Sequence, residues 1–137
     1  MGRKIGSILV ASSEEETKRE VGAFLLERGH RVKVVERGSE AILALFDEEP
    51  DLIVIDLELI EIPGLKTIEL VKRLRPRVPL IVLSGDASVE TGGQVLEKGV
   101  FSYFIKPLDL PFFGEMIDCA LERTKRQAFA KGGAGSL

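Results

Sequence analysis

The sequence contains one cysteine, one histidine and no tryptophan among its 137 residues. The lone Cys119 excludes a disulfide within the chain, and with only His30 beside it no set of thiols and imidazoles can hold zinc. No apolar run approaches the ~18 residues of a membrane span, and the first residues lack the apolar core of a signal peptide. We therefore expect a cytoplasmic protein without membrane contact, in which any metal site uses oxygen ligands.

An excess of charge of either sign is also missing. The chain has 19 basic and 22 acidic residues, a net charge of −3 that gives no reason to expect nucleic-acid binding. The basic segment RTKRQAFAK at 123–131 is explained as the solvated end of a helix. Because 45% of the residues are apolar, we expect one domain over residues 1–126, followed by a flexible tail or truncated linker over 127–137.

Five short apolar runs lie at 8–11, 32–35, 52–55, 80–83 and 103–105, and longer amphipathic segments separate them. The runs LIVI and LIVL are apolar at every position, which is typical of strands covered by helices on both faces. The alternation predicts an α/β protein with a parallel sheet. Gly92 and Gly93 would each cost ~1 kcal/mol in the fourth helix, which predicts a late or mobile start there. The last helix is expected from 109 to about 126, with Cys119 buried in its apolar stripe.

Polar residues follow four of the predicted strands. In open parallel sheets the ligand crevice lies outside the carboxyl ends of the strands, and the residues found there are Ser12, Ser13, Asp56, Ser84 and Lys106. Each has an ordinary alternative as a turn residue, a helix cap or a strand exit. Their combination of a carboxylate, hydroxyls and an ammonium on one rim favours a small anion-handling site.

Three segments around these residues carry a resemblance to a known family. They are DLIVIDLELIEIPG at 51–64, LSG at 83–85 and YFIKP at 103–107. With them, residues 5 to about 126 resemble a receiver domain of bacterial two-component response regulators, a class of signalling proteins rather than enzymes. The resemblance implies a doubly wound five-stranded parallel sheet of order 2-1-3-4-5, a flavodoxin-like three-layer sandwich.

The resemblance also implies roles for individual residues. Asp56 would be the phosphoacceptor that takes a phosphoryl group from a histidine kinase, Ser84 would hydrogen-bond the phosphoryl oxygens, and Lys106 would pair with them. Tyr103 would be the switch aromatic that turns inward when Ser84 moves. A homodimer would use the face formed by the fourth helix, fifth strand and fifth helix.

The chain departs from the family where the first strand ends. Ser12 and Ser13 stand where receivers usually have two acidic residues that bind magnesium, and each lost charge is worth up to ~4 kcal/mol at 4 Å before desolvation. Two nearby acids could compensate for the lost charges in binding magnesium. Glu14 could turn its carboxylate into the site, and Glu58 brings a carboxylate two residues past Asp56. The ordinary alternative for Glu14 is a favourable interaction with the helix dipole.

These departures leave two hypotheses. In the first, the chain is a working receiver with magnesium held through Asp56 and Glu14 or Glu58. In the second, which the serines favour, magnesium binding is weakened and the domain acts through contact with a histidine kinase or another signalling protein. An Asp56–Lys106 ion pair, surrounded by the hydroxyls of the three candidate serines, would then hold one state without metal.

Organic cofactors fit the sequence poorly. Glutamates at 14–16 would repel a phosphate at the first loop, and a cobalamin ligand would have to be His30, the only histidine.

The segment after Asp56 also departs from the family, because LELIEIPG has Ile60 where receivers usually have proline. Four apolar residues in this loop, Leu57, Leu59, Ile60 and Ile62, are hard to bury together.

Overall fold

The computed structural model describes the backbone of residues 4–135 and the side chains of residues 4–127. Five strands alternate with five helices along the chain. The strands are β1 (Ser7–Ala11), β2 (Arg31–Val35), β3 (Leu52–Asp56), β4 (Leu80–Ser84) and β5 (Ser102–Ile105). The helices are α1 (Glu15–Glu27), α2 (Gly38–Asp47), α3 (Gly64–Leu74), α4 (Val89–Leu96) and α5 (Leu110–Gly135).

All neighbouring strands are parallel, and their order is β2-β1-β3-β4-β5. This confirms the predicted fold class and strand order. The order places the carboxyl ends of β1, β3, β4 and β5 side by side on one rim. The polar residues that the sequence places at those strand ends are thereby brought together.

The core has two apolar layers, one on each face of the sheet. One layer joins the strands to α1 and α5, with Leu25 and Phe113 among its buried members, and the other joins them to α2, α3 and α4 through residues such as Leu45 and Ile68. β3 and β4 are buried at every position, as their uninterrupted apolar runs predicted. Within the described part of the chain, no helix combines the length and apolarity needed to cross a bilayer.

Two predictions about the helices are wrong. α4 begins at Val89 and contains both glycines, so a late start is wrong, while a mobile start stays a prediction; the Ser88 hydroxyl accepts a hydrogen bond from Thr91 N at 3.2 Å, and this cap offsets part of the glycine cost. Cys119 is exposed. The buried stripe of α5 runs through Phe113, Ile117 and Ala120, and position 119 points away from it by helical geometry.

The last helix is longer than predicted. It was expected to end near residue 126, but its backbone stays helical to Gly135. Residues 127–135, expected as a flexible tail or truncated linker, therefore continue the helix. QAFAK contains strong helix formers and no proline interrupts the segment, whereas the three glycines at 132, 133 and 135 oppose the helix by their own propensity. Residues 136 and 137 of the expected tail lie outside the described residues.

Candidate functional site

Asp56 ends β3 at the centre of the rim and has no exposed surface. Its Oδ2 atom accepts a hydrogen bond from Ser12 Oγ at 2.8 Å and another from Lys106 Nζ at 2.9 Å. Its Oδ1 atom accepts from the backbone N–H of Glu58 at 3.1 Å. Both carboxylate oxygens are thus bonded to the protein, and the predicted ion pair between Asp56 and Lys106 is present.

Lys106 directly follows β5, and its backbone N–H donates to Ser84 O at 2.8 Å, which fixes where its side chain leaves the sheet. Its ammonium faces three carboxylates. Nζ lies 2.5 Å from Glu14 Oε1, 2.9 Å from Asp56 Oδ2 and 3.7 Å from Glu58 Oε2. Because Lys106 is only 16% exposed and Asp56 is buried, this pair interacts largely away from water, whereas Glu14 and Glu58 are partly exposed.

Glu14 stands at the N-cap position of α1, but its side chain accepts no capping hydrogen bond from the helix. Its Oε1 atom instead accepts from Thr17 Oγ1 at 2.9 Å and from Lys106 Nζ. Its backbone N–H donates to Ser12 Oγ at 3.2 Å. Glu14 is therefore part of the site, and its carboxylate faces Lys106.

Glu58 joins two loops of the rim. Its Oε1 atom accepts a hydrogen bond from Gly85 N at 2.7 Å, which links the loop after β3 to the loop after β4. The structure thus brings both candidate rescuing carboxylates, Glu14 and Glu58, to the ammonium of Lys106.

The pKa shifts in the site follow from these contacts. Burial acts to raise the pKa of Asp56, but hydrogen bonds from Glu58, Lys106 and Ser12 outweigh burial and hold that pKa below its ordinary value. Burial likewise acts to lower the pKa of Lys106, yet its bonds to Glu14 and Asp56 leave that pKa raised. The bond from Lys106 lowers the pKa of Glu14. Asp56, Glu14 and Lys106 are accordingly all charged at neutral pH. Glu58 differs, because burial and the nearby Asp56 carboxylate raise its pKa.

Ser13 is not part of this cluster. Its hydroxyl donates to Glu36 O at 2.6 Å and accepts from Ile60 N at 2.9 Å. It therefore connects the loops that follow β1, β2 and β3. The prediction that the Ser13 hydroxyl surrounds the ion pair is wrong, because its one O–H donor is used by Glu36 O and it accepts from Ile60 N, both outside the ion pair.

Ser84 and Tyr103 meet at a residue that sequence reasoning missed. Asp86 N donates to the buried Ser84 hydroxyl at 2.9 Å, and Asp86 O accepts from Tyr103 OH at 3.1 Å. The Ser84 hydroxyl is thus bonded to this loop and not to the ion pair, contrary to expectation, so among residues 4–127 Ser12 supplies the one hydroxyl that bonds Asp56. The signal was available, since an Asp two residues before a Ser that can cap a helix is typical of a side chain that bonds its own turn.

The site residues do not fit a magnesium ion in this arrangement. Magnesium takes carboxylate and other oxygen ligands, but the ammonium of Lys106 lies where the Glu14 and Asp56 oxygens converge. Among residues 4–127, no three carboxylate, imidazole or thiol groups are arranged to share a metal ion. The cation that neutralises Asp56 here belongs to the protein itself.

Apolar residues are exposed at two places near the rim. In the loop after β3, Leu59 is buried while Ile60 is 55% exposed. At the β5 edge of the sheet, the neighbouring elements α4, β5 and the part of α5 up to residue 127 expose four large apolar side chains: Val89, Leu96, Ile105 and Phe112.

Comparisons with known proteins identify the family of this chain. A family model described as the response regulator receiver domain matches residues 8–118. Among curated proteins, the transcriptional regulatory protein GlrR of Escherichia coli (strain K12) is 28% identical over 124 residues, which cover 90% of this chain and 28% of that protein. The transcriptional regulatory protein ZraR of Salmonella typhimurium (strain LT2) is 30% identical over 118 residues, or 86% of this chain and 27% of that protein. The chain thus spans little more than a quarter of the length of these relatives.

Solved structures share the fold. The response regulator receiver domain protein (CheY-like) from Methanospirillum hungatei JF-1 superposes with a TM-score of 0.83 at 22% identity, covering 90% of this chain and 99% of that one. The receiver domain of the sensor histidine kinase PA1611 from Pseudomonas aeruginosa PAO1, solved with a magnesium ion in its active site cleft, has a TM-score of 0.79 at 22% identity, covering 89% and 99%.

Proposed function

The chain belongs to the response regulator receiver domain family, and from that premise we propose that it is an atypical receiver that signals through protein contacts while Lys106 keeps its phosphoacceptor position, Asp56, closed. The family makes it the receiver of a two-component response regulator. Its atypical character is the proposal. The cytoplasmic location expected from the sequence stays a prediction.

One observation carries this proposal: Asp56 is fully buried and both of its carboxylate oxygens are already bonded. Phosphoryl transfer needs a carboxylate oxygen in line with the incoming phosphorus and cations to gather the negative charge that spreads over the phosphoryl oxygens. The Oδ2 atom of Asp56 is bonded to the ammonium of Lys106 instead. A phosphodonor can reach it only if Lys106 moves away from both Asp56 and Glu14.

Magnesium binding is weakened in the proposed state for two reasons. Ser12 and Ser13 supply no negative charge at the end of β1, and Ser13 is engaged by two loop backbones. In addition, Lys106 is bonded to Glu14, one of the two carboxylates that could replace the missing acids, and lies 3.7 Å from the other, Glu58. A divalent ion would have to displace an ammonium that is bonded to both Glu14 and Asp56.

The exposed apolar residues at the β5 edge support action through protein contact. An apolar face bordered by polar residues is typical of an interaction site. The partner that we propose for it is a histidine kinase or another signalling protein, and the homodimer through α4, β5 and α5 stays a prediction. The net charge of −3 gives no reason to expect nucleic-acid binding, and this expectation also stays a prediction.

A second candidate function, a phosphorylatable receiver with magnesium held through Asp56 and Glu14 or Glu58, is favoured by one specific observation. The carboxylates of all three residues lie within 3.7 Å of a single point, the Nζ atom of Lys106. If Lys106 turned away to meet a phosphoryl group, that point would become available to an ion.

Intact-mass spectrometry decides between the two functions. The protein is incubated with acetyl phosphate, with and without MgCl₂, and is compared with Asp56→Asn and with a receiver that has the usual acidic pair. We expect no gain of a phosphoryl group under conditions in which the ordinary receiver reacts. A magnesium-dependent gain of one phosphoryl group that Asp56→Asn lacks would overturn the proposal and establish the second candidate.

A further inference from the structure

We propose that Glu14 is a positioning residue that anchors the Lys106 ammonium over Asp56, so that the protein's own cation takes the place of a metal ion in this site. The inference rests on the proposed function, because it names the residue that keeps Asp56 closed. It assigns Glu14 a role different from both earlier alternatives, a metal ligand or a helix-stabilising acid.

Helix capping does not explain Glu14. The residue stands at the N-cap of α1, where serine, threonine, aspartate and asparagine are preferred because their short side chains reach the first free N–H groups. The Glu14 side chain makes no such bond. Two further acids, Glu15 and Glu16, already occupy the first turn, where they favour the helix dipole. The particular side chain at position 14 is therefore used elsewhere.

The carboxylate of Glu14 is held in place from its own helix. The hydroxyl of Thr17, one turn further along, donates to Oε1 at 2.9 Å, and Thr17 is itself buried. The same Oε1 atom accepts from Lys106 Nζ at 2.5 Å. An oxygen fixed by a buried hydroxyl presents a defined position to the ammonium, so the Glu14 side chain loses little further freedom when the ammonium binds.

Glu14 forms the outer side of the site. Its side chain is 50% exposed, that of Lys106 is 16% exposed, and Asp56 is fully buried. The three groups therefore stack from solvent to core as carboxylate, ammonium and carboxylate. Without Glu14, the ammonium would keep one close carboxylate, since the nearest oxygen of Glu58 is 3.7 Å away, and water could reach it from the open side.

Competitive labelling of lysines with acetic anhydride, read by peptide mass spectrometry at one fixed pH, tests this role in the full chain. The variants are Glu14→Gln, Glu14→Asp and the matched control Glu16→Gln, which removes the same charge from the same helix turn. Glu14→Asp keeps the charge and supplies a better helix cap, but it is one methylene shorter, so it keeps the test valid if Glu14→Gln folds poorly. Lys18, which is 10% exposed and paired with two other glutamates, is the internal reference.

We expect Lys106 to label about fivefold faster in both Glu14 variants, because that change corresponds to losing one partly exposed ion pair. Lys18 should keep its labelling rate in these variants, and Glu16→Gln should match the wild type. General loosening of the fold would raise the rates of both lysines. Unchanged Lys106 labelling in both Glu14 variants, or equal changes at Lys18, would overturn the positioning role. In the wild type, MgCl₂ should leave the Lys106 rate unchanged, and a magnesium-dependent rise would show that a metal displaces the ammonium.

The outcomes separate this inference from the proposed function. If Lys106 is released in the Glu14 variants but the wild type still accepts phosphate from acetyl phosphate, the proposed function fails and the positioning role stands. If the wild type resists phosphorylation but Lys106 labelling ignores Glu14, the proposed function stands and the positioning role fails.

Discussion

Replacing Lys106 with methionine should lower the free energy of unfolding by about 3 kcal/mol. Methionine keeps most of the length and apolar volume of the lysine side chain but has no ammonium. The change leaves Asp56 buried and without its cation, and it leaves Glu14 and Glu58 facing the same point. The loss therefore measures what the ammonium contributes to this cluster.

The magnitude follows from the burial and the remaining bonds of Asp56. Removing one partner of a buried ion pair typically costs about 3–5 kcal/mol, because the other charge stays buried without compensation. Asp56 keeps its hydrogen bonds from Ser12 and from the Glu58 backbone, which places the cost at the lower end. The pair with Glu14 adds little, since that carboxylate is half exposed.

Urea unfolding of the wild type, Lys106→Met, Asp56→Asn and the double variant gives the interaction energy between the two residues as a double-mutant cycle. We expect a coupling of about 2–3 kcal/mol, with the double variant more stable than the sum of the single losses would suggest. A coupling below about 0.5 kcal/mol would refute the reasoning, because the ion pair would then not be what compensates Asp56.

The same variant should acquire a response to divalent cations. Without the ammonium, three carboxylates face one point, and magnesium or calcium can replace the missing charge. An ion at ten times its dissociation constant would restore about 1.4 kcal/mol, whereas the wild type should show no such gain. Equal stabilisation of the wild type and the variant by MgCl₂ would contradict the idea that Lys106 occupies the place of the ion.

Three further predictions concern the loops and helices around the site. Ser13→Ala should cost about 1 kcal/mol in urea unfolding, because its hydroxyl bonds two loop backbones, and Ser102→Ala serves as a control of similar exposure. Gly93→Ala should stabilise the protein by roughly 0.5–1 kcal/mol, since a Cβ there meets open space in a helix, and Gly38→Ala should destabilise it because a Cβ there would lie 2.8 Å from a neighbouring side-chain carbon. The pKa of Asp86 is held below its ordinary value of 3.8 by hydrogen bonds from the first turn of α4, so its contribution is present above that value and is lost as the pH falls through the lower folded pKa. Acid unfolding of Asp86→Asn should therefore show a weaker pH dependence in that range than the wild type.

Much of the fold was predictable because it depends on local patterns. The runs LIVI and LIVL are apolar at every position, and the strands that contain them, β3 and β4, are buried on both faces. The candidate residues Asp56, Ser84 and Lys106 also follow from position, since parallel strands end on the same rim. The resemblance to receivers added the strand order, which periodicity alone does not determine.

Errors arose where a residue's surroundings outweigh its own propensity. A late start of α4, one of the two predicted alternatives, was wrong because the cost of two glycines was considered without the cap at Ser88. Cys119 was assigned to the buried stripe of α5 from its apolar neighbours, but the face that packs on the sheet passes through Phe113 and Ile117 instead. Helix direction relative to the sheet decides such cases, and it is a property of the packed structure.

The sequence by itself determined the five strands, the five helices and the set of chemical groups at the rim, because hydrophobic periodicity and the positions of polar residues at strand ends are written in the order of the residues. Only the tertiary structure decided how those groups pair: Glu14 with Lys106 across 92 positions of the chain, Asp56 with Ser12 across 44, and Ser13 with two loops instead of the ion pair. The strength of a hydrogen bond or an ion pair changes when the distance between its atoms changes by a few tenths of an ångström, and it also depends on direction. Those quantities exist only after distant segments have packed against one another.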